Sequence, residues 1–239
     1  MKAWPEAATI EERGLPVAVV DHGAGNLVSI RQALSAVGAE PRLATHPGDL
    51  EGVAAIVLPG VGAAAPAMER LAEAGLVPAI ASWVADGRPL LGICLGLQLL
   101  FEGSDEDGAQ TFGFVPGRSV LLRNAPRLPH IGWNQVERVR DHPVFAGTAP
   151  DADFYFVHSY AGQPAAEARW TVLAETEHGE RFVSVLATSS VVGVQFHPER
   201  SGADGLRLLG NFVRWATAID AGRGARTVPA GAGGGRGGD

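Results

Sequence analysis

Three short runs in the first half of the chain, Pro16–Val20, Ala54–Leu58 and Pro89–Ile93, are apolar almost end to end rather than at alternate positions. A strand built this way must be covered on both of its faces, which is the habit of parallel sheets with helices packed above and below. The segment after each run has the matching character. After Asp21 comes the Gly-containing turn His22–Gly25, then a helix capped by Asn26 and ended near Val37 by Gly38. After Leu58 comes Pro59-Gly60-Val61-Gly62 and a helical stretch over 66–85; after Ile93, a helix over 95–102. Pro41–Ala44 adds a second strand between the first two runs. From Val120 to Val194 the chain is strand-rich, with candidates at 120–122, 134–138, 152–157, 171–176, 182–187 and 191–195, spaced tightly enough for antiparallel hairpins. An amphipathic helix over 204–219 completes the pattern. The expectation is an α/β domain over 16–220, with a mixed, mostly parallel central sheet, helices on both faces and a nucleophile elbow. Residues 1–15 form an N-terminal extension, and the Gly-rich stretch 221–239 reads as a disordered tail, too poor in apolar side chains to offset its ordering entropy.

Bulk properties narrow the function classes. Hydrophobic residues make up 46% of the 239, enough for a sizeable core, and the net charge of −7 comes with no basic run of the kind a nucleic-acid surface needs. No apolar run reaches the roughly 18 residues of a membrane span, and the first fifteen residues lack the apolar core of a signal peptide. The single cysteine excludes a disulfide within the chain and points to an intracellular, cytoplasmic protein. None of the histidines shows metal-ligand spacing with it, so no metal site is expected.

That cysteine stands in Gly92-Ile93-Cys94-Leu95-Gly96, between an apolar strand and a helix. Gly-x-nucleophile-x-Gly in this context is the pattern of a nucleophile elbow, where the turn is too tight for flanking side chains. A helix N-terminus beside the sulfur favours thiolate over thiol, and the Leu95 N–H is placed to stabilise an oxyanion. A lone cysteine is more often a buried packing residue; the glycines and the strand-turn-helix context tip the balance. Gln195-Phe196-His197-Pro198-Glu199 supplies the other half of the chemistry. Pro198 biases His197 towards extended backbone, where residues i and i+2 share a side, so Glu199 can orient the imidazole that serves Cys94. Alone, His-Pro-Glu reads more readily as a surface turn. Pro59-Gly60-Val61-Gly62 gives a second source of backbone donors at a strand end, where loops after neighbouring parallel strands lie side by side; an ordinary strand-to-helix turn explains the same residues.

Together and in this order, these three segments resemble the class I (triad-type) glutamine amidotransferases over about residues 17–215. Val20–Leu27, Pro129-His130-Ile131-Gly132-Trp133-Asn134 and Phe154–Tyr160 are similar, within that family, to the glutaminase subunits of imidazole glycerol phosphate synthase from histidine biosynthesis. The resemblance implies Cys94, His197 and Glu199 as catalytic triad, and Gly60, Val61, Gly62 and Leu95 as the oxyanion site. It implies Gln98, Glu106, Ser159 and Tyr160 as holders of glutamine, and no cofactor. It also implies a (β/α)₈-barrel cyclase partner that receives ammonia and makes imidazole glycerol phosphate and aminoimidazole carboxamide ribotide. Asn26, His130, Trp133 and Asn134 are the candidates for that contact. The chain departs from the family pattern in two places: Arg200 stands where Lys usually follows His-Pro-Glu, and Ala63-Ala64-Ala65 stands where an aromatic is expected within two residues of Gly62. The alternatives are the glutaminase of another amidotransferase, a stand-alone Cys-His amidase, and a catalytically silent binding module.

Overall fold

The computed structural model describes residues 14–227. Most of the expected N-terminal extension and the tail beyond Thr227 lie outside these residues. Strand β1 (Leu15–Val20) leads into helix α1 (Leu27–Ala36), with Asn26 as its cap: the Asn26 Oδ1 accepts a hydrogen bond from the Ser29 N–H at 3.1 Å. β2 (Ala39–Ala44) and β3 (Ala55–Gly60) come next, then α2 (Ala64–Glu73) and α3 (Leu76–Ala85). Those two helices replace the single one expected over 66–85, because Gly75 adopts φ 71° and ends the first.

β4 (Leu90–Cys94) runs straight into α4 (Leu95–Gln98), which is a single turn. The expected helix to Glu102 is absent because the next backbone bonds tighten to the three-residue spacing, Leu100 N–H to Leu97 O and Phe101 N–H to Gln98 O. Then come β5 (Gly103–Ser104), β6 (Gly117–Leu121), β7 (His130–Gln135), β8 (Glu137–Arg138), β9 (Asp153–His158), β10 (Tyr160–Pro164), β11 (Val172–Glu177), β12 (Arg181–Ala187) and β13 (Val191–Val194). α5 runs from Gly202 to Thr227, so the first residues assigned to the tail are helical.

The main sheet has the order β2-β1-β3-β4-β13-β12-β11-β8, parallel from β2 to β13 and antiparallel beyond. Two small sheets, β10-β6-β5 and β7-β9, sit apart from it. The double-sided burial inferred from the apolar runs is visible in β1. Val17 and Val19 join the core under Ile30 and Leu34 of α1 and Leu208 and Phe212 of α5. Ala18 and Val20 join the opposite core with Leu71 of α2 and Leu76 and Ile80 of α3. Within the sheet Gly60 pairs with Cys94 and Ile93 with Val194, so the ends of β3, β4 and β13 lie side by side. Crevices at the carboxyl ends of such strands are the usual ligand sites.

Candidate active site

Cys94 has φ 54°, and among the described residues it is the one non-glycine in that region. Such a conformation costs of order 1–3 kcal/mol and persists only where the surroundings impose it. Here the imposition comes from the flanking glycines. A Cβ on Gly92 would lie 2.6 Å from the Gly96 carbonyl oxygen, and one on Gly96 would lie 1.8 Å from the Leu58 carbonyl oxygen. The strand, the turn and the start of α4 are therefore packed backbone against backbone. Because α4 is one turn long, the help it offers the sulfur is the local N–H groups of its first residues rather than a long helix dipole.

His197 comes after β13 with φ −101° and ψ 95°, as the proline rule requires, and its N–H donates to the Tyr155 carbonyl at 2.8 Å. Glu199 reaches it through a 3₁₀ turn over Pro198–Arg200 rather than along extended chain. The Nδ1 donates to Glu199 Oε1 at 2.9 Å, and both side chains are buried. A carboxylate bonded at Nδ1 leaves Nε2 facing away from it; that atom is buried and has no hydrogen-bond partner. Burial alone would lower the imidazole pKa. The neighbouring Cys94 sulfur and Glu199 outweigh it and carry His197 up to about 10. The protonated imidazole is thus favoured by the sulfur and the carboxylate on its two sides.

Cys94 opens into a cleft of about 310 Å³ lined also by Val61, Gly62, Leu95, Gln98, Glu106, Ser159 and Tyr160. All four expected glutamine-holding residues therefore meet at the nucleophile, as do three of the four expected oxyanion residues. Gly60 stands just behind, paired with Cys94 in the sheet. Gly62 has φ 92°, a conformation that favours glycine in this loop. The loop is tied down beyond Ala63: the Ala65 N–H donates to Asp107 Oδ2 at 2.7 Å. Burial, and then Asp107, raise the Glu106 pKa, a cost that a cation bound beside it would reverse. A larger hollow of about 850 Å³ lies by Gly14, Glu40, Arg42 and Asp220, at the other end of the strands from the triad, and is lined by no cysteine or histidine. No group of His, Cys, Asp or Glu among the described residues is arranged to hold a metal ion.

The expected partner-contact residues divide. Asn26 is exposed, and Trp133 is 58% exposed with its ring edge-on to Tyr155. His130 is turned inward, 4% exposed and stacked against Phe156 and His178, so it cannot touch a partner directly. β-strand alternation is the reason: in β7 the outward positions are Ile131, Trp133 and Gln135. Asn134 is half-buried and bonded to His130 Nε2 at 3.2 Å. Arg200, the departure from the usual Lys, lays its guanidinium 4.1 Å over the Tyr155 ring. One site residue lies beyond the sequence expectations. Gln195, fully buried, directs its side-chain nitrogen at Cys94 Sγ, 3.7 Å away. The signal that points to it is an amide closing an otherwise apolar strand, since a buried amide must find partners.

The model of the family described as glutamine amidotransferase class-I matches residues 18–215. The chain belongs to the class-I glutamine amidotransferases. Among similar curated proteins, the imidazole glycerol phosphate synthase subunit HisH of Symbiobacterium thermophilum is 45% identical over 201 residues, covering 83% of this chain and 93% of that protein. The HisH subunit of Moorella thermoacetica is 44% identical, covering 82% and 93%. Among solved structures, PurLQS from Thermotoga maritima superposes with a TM-score of 0.70 at 18% identity, covering 84% of this amidotransferase and 99% of that chain. A crystal structure of a glutamine amidotransferase superposes at 0.67 and 21%, covering 84% and 98%. At these identities the structural likeness speaks for the fold alone. No helix among the described residues is long and apolar enough to cross a membrane.

Proposed function

We propose that this amidotransferase is the glutaminase subunit of an imidazole glycerol phosphate synthase and delivers ammonia to a (β/α)₈-barrel cyclase. The observation that carries the reading is the buried His197–Glu199 pair at the end of β13, next to a strained cysteine at the end of β4. The thiolate of Cys94 attacks the side-chain carbonyl carbon of glutamine. N–H groups of Leu95 and of the Gly60–Gly62 loop receive the oxyanion. The C–N bond breaks as His197 gives its proton to the leaving ammonia, which yields a glutamyl thioester. His197, now neutral, takes a proton from water as that water attacks the thioester; the C–S bond breaks, glutamate leaves, and the thiolate–imidazolium pair is restored. Glu199 holds the imidazole in the tautomer that these transfers need.

Gln98, Glu106, Ser159 and Tyr160 hold the substrate, with the Glu106 carboxylate suited to an α-ammonium. Asn26 and Trp133, with Ile131, face the cyclase. Ammonia released into water would protonate and cease to be a nucleophile, so transfer within the complex suits the chemistry. The lone unpaired cysteine fits a reducing cytoplasm. The test is glutamate release by the purified chain, alone and with the cyclase plus its nucleotide ligand. Low activity alone that rises steeply in the complex supports the proposal. High activity alone would favour an independent amidase, and inactivity in both states would reject the assignment.

A further inference from the structure

The side-chain amide of Gln195 has two faces, and its effect on Cys94 depends on which one meets the sulfur. An N–H favours the thiolate, whereas a C=O repels it. Its neighbours decide the matter. The Tyr160 carbonyl can only accept, and it does so twice, from Gln98 Nε2 at 2.8 Å and from His158 Nδ1 at 2.8 Å. Gln98 therefore presents its NH₂ group, whose second hydrogen meets Gln195 Oε1 at 3.4 Å. That leaves the Gln195 NH₂ for the sulfur.

The same polarity continues away from the site. His158 Nε2 accepts from His130 Nδ1 at 3.1 Å, and His130 Nε2 accepts from Asn134 Nδ2 at 3.2 Å. Asn134 is itself oriented: its Oδ1 accepts from the Gln135 N–H and its Nδ2 donates to the Glu177 carbonyl. A proton added to either imidazole would set N–H against N–H. Burial, assisted by neighbouring histidines, keeps both neutral, with His130 lowered to about 4 and His158 to about 3. The Tyr160 carbonyl is thus clamped from two sides.

Besides Gln195 and His197, the sulfur also meets the Val157 carbonyl at 3.8 Å, a contact that suits a thiol and opposes a thiolate. We infer that Gln195 acts on the nucleophile itself, its side-chain N–H holding the Cys94 sulfur and favouring the thiolate, with Gln98 and His158 as positioning residues that fix the direction of the amide. The inference rests on the reading of Cys94 as the nucleophile of a glutaminase.

The experiment measures the pH dependence of Cys94 alkylation by iodoacetamide, which needs no glutamine turnover. Gln195→Met keeps the volume and removes the donor. Its midpoint should rise by about one unit, so that alkylation on the acid side slows about tenfold. An unmoved midpoint in folded Gln195→Met overturns the inference and leaves the glutaminase reading standing. A wild-type cysteine that resists alkylation throughout sinks both. A second measurement needs no variant: the side-chain NH₂ resonances of Gln195, tracked by ¹⁵N NMR in the wild-type chain, should move with the same midpoint. Resonances indifferent to that titration overturn the inference.

Discussion

Replacing Gly96 by Ala adds one methyl group at the tightest point of the fold. Its Cβ would stand 1.8 Å from the Leu58 carbonyl oxygen, where ordinary contact begins at 3.4 Å, so a gap of roughly 1.6 Å must open. β3 cannot give way, because it is bonded to β1 on one side and β4 on the other. The start of α4 must move instead, and with it the Leu95 N–H and the strained turn at Cys94. Overpacking costs about 1–3 kcal/mol, and a clash of backbone with backbone belongs at the top of that range. For a domain of this size about 3 kcal/mol lowers the melting temperature by roughly 6–12 °C. A displacement near 1 Å at the reacting atoms lowers kcat/KM by about 10²-fold. Thermal unfolding and glutamate release in the cyclase complex measure the two effects. Gly222→Ala is the matched control, since a Cβ there meets nothing within 4 Å in α5, and it should be neutral or slightly stabilising. A Gly96→Ala protein that melts and turns over like the control would refute the account of the elbow.

The same geometry dictates other outcomes. Cys94→Ala should abolish glutamine use in the complex while synthesis driven by added ammonium salt persists; loss of both would remove Cys94 from its role. Glu199→Gln should lower the His197 pKa and cut kcat by about 10²-fold or more, with little change in KM; an unchanged pH profile would count against the pair. The sign of the linked stability is also fixed. His197 is raised on folding, so its contribution is fully present below about pH 6.5 and is lost as pH rises towards about 10. Urea unfolding at a series of pH values should show that loss reduced in Glu199→Gln. Trp133→Ala should weaken cyclase binding by about 2 kcal/mol or more while moving the melting temperature little. A large fall in stability with intact affinity would make Trp133 a packing residue.

The parts of the fold legible in the sequence are those in which one physical demand governs consecutive residues. The double-sided burial of β1, β3 and β4 is written in unbroken apolar runs, the cap of α1 in Asn26, and the elbow in two glycines that no larger residue could replace. The hidden parts depend on partners distant in sequence. Tyr160–Pro164 carries no alternation of apolar residues, and pairing with β6 makes it a strand. The short α4 reflects where Phe101 and Leu100 must pack, which local propensity does not encode. The aromatic signature around His130 suggests a surface position, yet the pleat of β7 sends it inward. Gln195 stands in the sequence as one member of a motif, and its contact with the sulfur comes from Gln98 and Tyr160, distant in the chain.

The nucleophile closes β4 and its base follows the adjacent β13, two strands in register at Ile93 and Val194, yet 103 positions of chain separate Cys94 from His197. β13 enters the sheet only after β5–β12 have been made, so the pairing that completes the triad is among the most non-local contacts of the fold. On the ribosome the cysteine emerges well before its histidine. A chain still being synthesised therefore holds an elbow without a base, and glutamine is safe from it until the last third of the protein has folded back.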